Sequence, residues 1–198
     1  MSKTKAKDLK FYKINPSVKD PFFATEGSAC FDIHANFDTG DKYSVNQDTL
    51  SKTIFRPVKG NSLNIFCMER VLVPTGLIFD IPEGYSVRLH SRSGLAWKDG
   101  IYLTNCEGII DSDYVDPVFV MMTNISQSPK SINNGDRVCQ AELVEKIYHS
   151  LEEIKEQPTQ KTESNRLDSQ SYRSRSCVSR IRRGSSNSFR SSCSFPWH

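Results

Sequence analysis

The sequence predicts an all-β fold, a distorted β-barrel or jelly roll, from two observations. Short apolar runs recur about every eight to twelve residues between residues 9 and 147, and clusters of Gly, Pro, Asn and Asp separate them, which is the pattern of short strands joined by turns. The hydrophobic share of 37% in 198 residues is enough for one core, but not for a chain packed from end to end. We therefore expect one β domain and a part of the chain outside it.

The predicted strands begin near the amino-terminal end. Residues 9–14 (LKFYKI) alternate apolar and polar side chains, which predicts a strand with one buried face. Further strands are predicted at residues 64–71, 76–81, 85–89, 101–103, 118–123 and 141–147.

One helix is also predicted. Residues 149–156 (HSLEEIKE) have the spacing of a helix, which Pro158 limits to about two turns.

The composition changes near Pro158. Residues 164–198 contain seven arginines, no lysine and one acidic residue, so this part carries a net charge of +6 while residues 1–163 carry −3. Its twelve serines and few apolar residues cannot offset the entropy lost on ordering. We predict a β domain over residues 1–158, with a surface insertion at about residues 37–62, and an Arg/Ser-rich disordered tail over residues 159–198.

The sequence also excludes several classes of protein. The six cysteines include no CxxC pair, so neither a disulfide framework nor a structural zinc site is indicated. No apolar stretch approaches the roughly 20 residues of a membrane helix, and the amino-terminal segment lacks the apolar core of a signal peptide. We expect a cytoplasmic or nuclear protein that is not secreted and does not enter a membrane.

Four segments contain residues suited to phosphate binding or water activation. Residues 91–94 (SRSG) bring a cation, two hydroxyls and a glycine into one turn. This combination suits the binding of phosphate oxygens, although an ordinary loop can have the same composition. If residues 111–114 are extended, Asp111 and Asp113 point to one face and Tyr114 to the other; an aspartate-rich hairpin turn is the alternative. The segments are SACFDI at 28–33, SRSGLA at 91–96, NCEGIIDSDY at 105–114 and NGDRVCQ at 134–140.

In this order and spacing the segments resemble the first four motifs of trimeric dUTP pyrophosphatases (dUTPases), and VPTGL at 73–77 fits the family pattern between them. The resemblance spans about residues 9–147. It implies the dUTPase fold and a homotrimer with three composite sites at subunit interfaces. It also implies Mg²⁺-dependent hydrolysis of dUTP to dUMP and pyrophosphate, which limits uracil in DNA and supplies dUMP.

The resemblance also implies roles for individual residues. Asp111 becomes the general base that deprotonates a water for attack on the α-phosphorus. The hairpin that starts at Asn105 would read the uracil edge, and Tyr114 would pack against the deoxyribose and exclude a 2′-hydroxyl. Asp32 would lie near the metal, through water, whereas Asp136 and Arg137 would be mainly structural. The residues alone predict a hairpin in which Asp136 and Arg137 form a salt bridge. The implied substrate-binding residues are Arg92, Ser93, Gly94, Asn105, Gly108, Ile110, Tyr114 and Gln140.

The chain departs from the family pattern in three places. His90-Ser91 stands where relatives usually have a proline at or near this point, and Val115-Asp116-Pro117 replaces a small or polar residue and glycine after the tyrosine. Relatives end in a glycine-rich arm whose arginine and phenylalanine close over the nucleotide. Residues 183–192 keep Arg183 and Phe189 but lack the glycines around the phenylalanine. A displaced arm and an unrelated tail with weak affinity for polyanions both remain open.

Three other functions are compatible with parts of this sequence. A dCTP deaminase shares the fold, but its characteristic acid and loop are not evident. A catalytically weakened dUTPase-like regulatory or binding protein is favoured by the altered arm and disfavoured by retention of Asp111, Ser93 and Gln140. Electrostatic binding of nucleic acid by the tail could coexist with the enzyme.

Overall fold

A computed structural model describes residues 7–47 and 52–158, and within them it contains fourteen strands and one helix. The predicted tail at residues 159–198, with Arg183 and Phe189, lies outside these residues, so the domain boundary at residue 158 stays a prediction. The elements are β1 (Lys10–Lys13), β2 (Phe22–Phe23), β3 (Phe31–His34), β4 (Lys42–Gln47), β5 (Lys52–Pro57), β6 (Ser62–Ile65), β7 (Arg70–Pro74), β8 (Leu77–Asp80), β9 (Tyr85–Ser91), α1 (Ser93–Asp99), β10 (Ile101–Leu103), β11 (Glu107–Ile110), β12 (Phe119–Asn124), β13 (Lys130–Asn133) and β14 (Arg137–Glu145).

The described strands form antiparallel sheets. A first five-stranded sheet has the order β11-β9-β14-β3-β2, and a second has the order β10-β12-β7-β4-β5. Two-stranded ribbons are formed by β1 with β8 and by β13 with β6. This architecture confirms the predicted all-β fold class.

Alternation along the strands builds one core. In β7, Val71 and Val73 are buried while Leu72 between them is partly exposed, and β12 repeats the pattern with Val120 and Met122. Such alternation is expected of antiparallel sheets with one covered face. The buried side chains of both large sheets belong to a single hydrophobic cluster.

The segment at residues 37–62, predicted as a surface insertion, is in part core. It contains β4 and β5, which pair with each other, and β4 also pairs with β7, so the hairpin extends the second sheet. Tyr43 and Val45 of β4 are buried. The polar residues Lys42, Ser44 and Asn46 alternate with these apolar positions in β4, because alternate side chains of a strand point to opposite faces.

The helical content also differs from the prediction. The structure gives no helix at residues 149–156, where Leu151 is 93% exposed. A helix of two turns that packs against nothing gains too little free energy to offset the cost of helix nucleation. The helix of the described residues is instead α1, in a segment predicted as a turn, and Gly100 ends it with φ of 66°.

The chain divides into two units, residues 1–150 and residues 151–198. Every described strand belongs to the first unit, and residues 151–158 of the second have neither helix nor strand. Within the described residues, no helix is both long and apolar enough to span a bilayer.

Candidate active site

The first group of candidate residues surrounds Asp32, in β3, and we call Asp32, Arg92 and Arg137 the Asp32 cluster. Asp32 is only 2% exposed. Arg137 Nη1 donates to Asp32 Oδ2 at 2.9 Å, and Arg92 Nε lies 3.3 Å from Asp32 Oδ1. Arg92 Nη1 also donates to the Arg137 carbonyl at 3.2 Å. Three of the four sequence motifs thus meet at one buried carboxylate.

The Asp32 cluster is incompletely hydrogen-bonded. Asp32 Oδ1 and Arg92 Nε are buried, and neither has a hydrogen-bond partner among the described residues. Their 3.3 Å approach is therefore an ion pair whose N–H direction does not make a hydrogen bond. A buried oxygen with spare acceptor capacity is uncommon in proteins, and here surrounding protein atoms keep solvent away from it.

Strand register brings Gln140 to the same place. Gln140 of β14 lies opposite Asp32 on one side and opposite His90 of β9 on the other. A bulge between Arg137 and Cys139 shifts the register at the start of β14, and such bulges re-aim side chains. Arg137 therefore pairs with Asp32, across 105 residues of sequence, and the predicted salt bridge between Arg137 and Asp136 is wrong.

Ser93 and Gly94 lie beside the Asp32 cluster and are exposed. Arg92 precedes the first residue of α1, and its side chain is directed to Asp32. The side chain of Arg92 thereby fixes the start of the segment that presents the hydroxyl of Ser93. At Gly94 an added Cβ would meet nothing within 4 Å, so the backbone here is open to a ligand.

The electrostatic surroundings of the Asp32 cluster favour anions. Lys19 Nζ donates to the Gly135 carbonyl at 2.9 Å, and Lys19 acts electrostatically on His34, the residue opposite Arg137. Burial lowers the pKa of His34, and Lys19 lowers it further, so His34 is neutral near pH 7. Lys19, Arg92 and Arg137 then carry three positive charges against the one negative charge of Asp32.

The second group of candidate residues lines a cavity of about 220 Å³, which we call the hairpin pocket. Gly108 lies over Leu89, where an added Cβ would approach the leucine side chain to 3.0 Å; a larger residue would fill the cavity or displace β9. The pocket is lined by the candidates Asn105, Gly108, Ile110 and Tyr114, together with Leu72, Leu89, Leu103, Ile109, Val118, Phe119 and Met121.

Asp111 lies at the edge of the hairpin pocket, directly after β11, and is exposed. The Tyr114 amide donates to the Asp111 carbonyl at 3.1 Å, which closes a turn over residues 111–114. The extended geometry considered for Asp111 and Asp113 is therefore wrong. Tyr114 Oη donates to the Pro117 carbonyl at 3.1 Å, which fixes the ring near the pocket.

One chain does not bring Asp111 and Ser93 together. Ile110 lies opposite Val87 in the β9–β11 pair, whereas Arg92 lies beyond the other end of β9. At about 3.3 Å per residue, the five steps from Val87 to Arg92 span roughly 17 Å. Asp111 beside the hairpin pocket and Ser93 beside the Asp32 cluster therefore lie far apart in a single chain, although the Leu103 amide of the pocket donates to Ser91 Oγ at 2.9 Å. We call these two groups the half-sites.

Among the described residues, no group of three or more His, Cys, Asp or Glu side chains could hold a metal ion. Asp32 has two arginine partners and a single spare acceptor, Oδ1. This donor set does not fit a metal bound directly by protein side chains. Contact through a water ligand of Mg²⁺, an ion that keeps several waters and takes its other ligands from substrate phosphates, would need a water to reach Oδ1, and Oδ1 is buried in this arrangement.

Comparisons with known proteins agree with these motifs. The sequence matches the dUTPase family over residues 58–172. It is 38% identical over 105 residues to a deoxyuridine 5′-triphosphate nucleotidohydrolase of Finegoldia magna, covering 53% of this chain and 72% of the relative. With the corresponding protein of the Wolbachia of Culex pipiens it is 33% identical over 159 residues, covering 79% and 90%.

Solved structures resemble the fold. A dUTPase from Streptococcus mutans matches with a TM-score of 0.55 at 20% identity, covering 73% of this chain and 99% of that one. A G164S mutant of a Staphylococcus bacteriophage 80alpha dUTPase, with dUpNHpp, matches with a TM-score of 0.62 at 16% identity, covering 84% and 99%.

Proposed function

We propose that this chain, which belongs to the dUTPase family and is a dUTP diphosphatase, uses Asp111 to activate the water that hydrolyses dUTP to dUMP and pyrophosphate. The observation that carries this proposal is the hairpin pocket, where Asn105, Gly108 and Tyr114 line one cavity beside Asp111. Removal of dUTP in this way would limit uracil in DNA and supply dUMP.

The base and sugar would bind in the hairpin pocket. The edge of uracil would meet backbone groups of the hairpin and the amide of Asn105, while the cytosine amino group would leave buried donors unpaired. Tyr114, fixed through its hydroxyl, would lie against the deoxyribose, where a 2′-hydroxyl has no room. Gly108 keeps this cavity open above Leu89.

The phosphates would bind at the Asp32 cluster. Ser93 Oγ and the backbone at Gly94 are exposed donors, and Gln140 supplies an amide. Arg92 acts here mainly by placing this segment, because its guanidinium is directed to Asp32. When bound, Mg²⁺ would neutralise part of the triphosphate charge. Because Asp32 Oδ1 is buried, a contact between Asp32 and the metal through water would need a local rearrangement of the Asp32 cluster.

Asp111 would supply the base. Its carboxylate takes a proton from water, the water oxygen forms a bond to the α-phosphorus, and the bond from that phosphorus to the bridging oxygen breaks as pyrophosphate leaves. Asp111 then releases the proton to solvent. An exposed carboxylate at the end of a strand, held by the turn to Tyr114, is accessible to such a water.

The separation of the two half-sites supports the homotrimer implied by resemblance. Because roughly 17 Å of β9 separates Asp111 from Ser93 within one chain, a complete site needs Asp111 of one chain and Ser93 of another. Any closed ring of identical chains would meet this need, and the number of three subunits, with three equivalent sites at their interfaces, comes from the family resemblance.

Asp111→Asn tests the proposal. We expect turnover of dUTP to fall about 100-fold or more, as removal of a general base does, while equilibrium binding of dUTP persists. Pyrophosphate release from dUTP, dCTP, dTTP and UTP, with and without Mg²⁺, is the measurement. Asp113→Asn, which changes the neighbouring exposed carboxylate, is the control and should retain turnover.

Near-native turnover in Asp111→Asn would remove Asp111 from the mechanism. Binding of dUTP by the unaltered chain without turnover would favour the regulatory or binding protein instead.

A further inference from the structure

Ser91 ends β9, and its side chain contacts the other large sheet. The Leu103 amide, at the end of β10, donates to Ser91 Oγ at 2.9 Å. Because β9 belongs to the first five-stranded sheet and β10 to the second, this hydrogen bond joins the two sheets. It also joins the two ends of residues 92–102, the segment that contains Ser93 and Gly94.

The Leu103 amide depends on this hydroxyl. β10 is the edge strand of its sheet, where Leu103 lies opposite Met122 of β12. The next pair along the two strands is hydrogen-bonded, since the Thr104 amide donates to the Met121 carbonyl at 2.9 Å. Hydrogen-bonded and non-hydrogen-bonded pairs alternate in antiparallel strands, so the Leu103 amide points away from β12. Leu103 is 1% exposed, and loss of the Ser91 hydroxyl would therefore leave a buried donor unpaired.

The segment that follows Ser91 gains little position from its own packing. No residue of α1 is buried, and Leu95 is the residue of this helix that packs in part against the core. At the start of the segment, Arg92 is directed to Asp32 of the first sheet and Ser91 to the second sheet. Two successive residues thus fix the start of the segment, and Ser93 follows directly.

We infer that Ser91 is a positioning residue for the reaction, whose hydroxyl fixes the phosphate-binding segment at Ser93 relative to the hairpin pocket. This inference rests on the proposed function. Ser93 has to meet the triphosphate in one orientation while Asp111 of another chain activates the water. Reaction rates are sensitive to such placement, and a misplacement of about 1 Å can cost about 100-fold. Loss of one hydrogen bond beside an intact pair of Arg92 and Asp32 should cost less.

Ser91→Ala tests the inference, on the full chain with dUTP and Mg²⁺. We expect kcat to fall about tenfold, because Ser93 loses one of the two contacts that place it. Ser91→Thr keeps a hydroxyl, and threonine suits a strand, so its kcat should stay within about twofold of that of the unaltered chain. Hydrogen exchange of the Leu103 amide should quicken in Ser91→Ala and not in Ser91→Thr, since the alanine variant lacks the acceptor.

Tyr43→Phe is the matched control. The buried hydroxyl of Tyr43 accepts a hydrogen bond from the Asn64 amide at 3.1 Å and donates to the Asn64 carbonyl at 3.0 Å. Its loss also leaves a backbone amide without its side-chain acceptor, but between β4 and β6, which belong to neither half-site. Both variants should unfold at lower urea concentrations than the unaltered chain, while kcat of Tyr43→Phe stays unchanged. A difference in kcat between them then reports placement and not stability.

Equal kcat in folded Ser91→Ala and the unaltered chain would overturn the inference while leaving the proposed function intact, and so would an equal loss of kcat in Tyr43→Phe. If Ser91→Ala does not fold, Ser91→Cys replaces it, because a thiol has a similar shape and is a weak acceptor. Its kcat should fall about threefold or more, and an unchanged kcat would overturn the inference. Absence of turnover in the unaltered chain would instead remove the proposed function, and this inference with it.

Discussion

Two buried carboxylates of this chain are paired with arginine, and they differ in how completely they are hydrogen-bonded. Glu69, 3% exposed, accepts hydrogen bonds from the two terminal nitrogens of Arg56 at 2.7 and 2.8 Å. Gln47 Nε2 donates to it at 2.6 Å and the Phe66 amide at 2.9 Å. These bonds fasten the β4–β5 hairpin to the turn before β7.

Asp32 is equally buried but less completely bonded. Arg137 donates to one of its oxygens, while Oδ1 and the nearby Arg92 Nε have no hydrogen-bond partner among the described residues. A carboxylate that is fully bonded within the fold has no capacity left for a ligand, whereas an incomplete one retains some. The difference indicates that the pair of Glu69 and Arg56 stabilises the fold, whereas we propose that the Asp32 cluster positions the segment that carries Ser93.

The largest expected effect concerns Arg56. Arg56→Met leaves Glu69 buried without its cation, and breaking a buried pair in this way destabilises a protein by about 3 kcal/mol or more. Urea denaturation should show this loss. We expect kcat of the folded fraction for dUTP to stay unchanged, because the contacts of Arg56 are with Glu69, Asn64 and two aromatic rings that belong to neither half-site. Lys13→Met is the control: it breaks the exposed pair with Asp20, which should cost less than about 1 kcal/mol. Equal losses in the two variants would contradict the structural role of Arg56.

A smaller effect, of a different kind, is expected at Asp32. Asp32→Asn weakens the hold on Arg92 and Arg137, so the segment that carries Ser93 loses its placement, and we expect kcat for dUTP to fall about tenfold. The unfolding free energy should fall by less than in Arg56→Met, because both arginines of the Asp32 cluster reach solvent in part. Initial rates over a range of dUTP concentrations with Mg²⁺ give kcat and KM, and urea denaturation gives the unfolding free energy. A lower KM with unchanged kcat would show that Asp32 acts only through its charge.

Much of this arrangement follows from local sequence. Alternating apolar residues predict strands such as β1, β8 and β9, and four short motifs predict which residues gather at the two half-sites. The strand predicted at residues 64–71 is wrong, because a turn divides it between β6 and β7. Local patterns suffice there because burial of one strand face and the demands of a turn are properties of neighbouring residues.

Other features depend on pairing between distant parts of the chain. The partner of Arg137 is Asp32 and not the adjacent Asp136, because the register of β3 and β14 and the bulge after Arg137 decide where the guanidinium points. The helix α1 escaped prediction because Ser93 and Gly94 are poor helix formers, and tertiary context overrides their propensity. The separation of Asp111 from Ser93 likewise follows from the β9–β11 register, which no single motif contains.

The smallest expected effect is a difference between the unaltered chain and Glu69→Gln in how strongly the unfolding free energy depends on pH in acid. Burial alone would raise the pKa of Glu69, but the hydrogen bonds from Arg56, Gln47 and Phe66 outweigh it and hold the pKa below its usual value. Stability from this lowered pKa is present above the unfolded pKa and is lost as pH falls through the folded pKa. The unfolding free energy of the unaltered chain should therefore fall more steeply on acidification than that of Glu69→Gln, by less than the limit of about 1.4 kcal/mol per pH unit for one proton.

Urea denaturation at a series of acidic pH values measures this difference, since all other carboxylates titrate in both proteins. Asp20→Asn, which alters an exposed acid paired with Lys13, should run parallel to the unaltered chain. The Glu69→Gln curve should instead start lower near neutral pH and converge with the unaltered chain in acid, because protonation then removes the advantage that the carboxylate gains from Arg56. Parallel curves for all three proteins would mean that the ion pair between Glu69 and Arg56 adds no pH-dependent stability, and the contrast with Asp32 would then rest on hydrogen bonding alone.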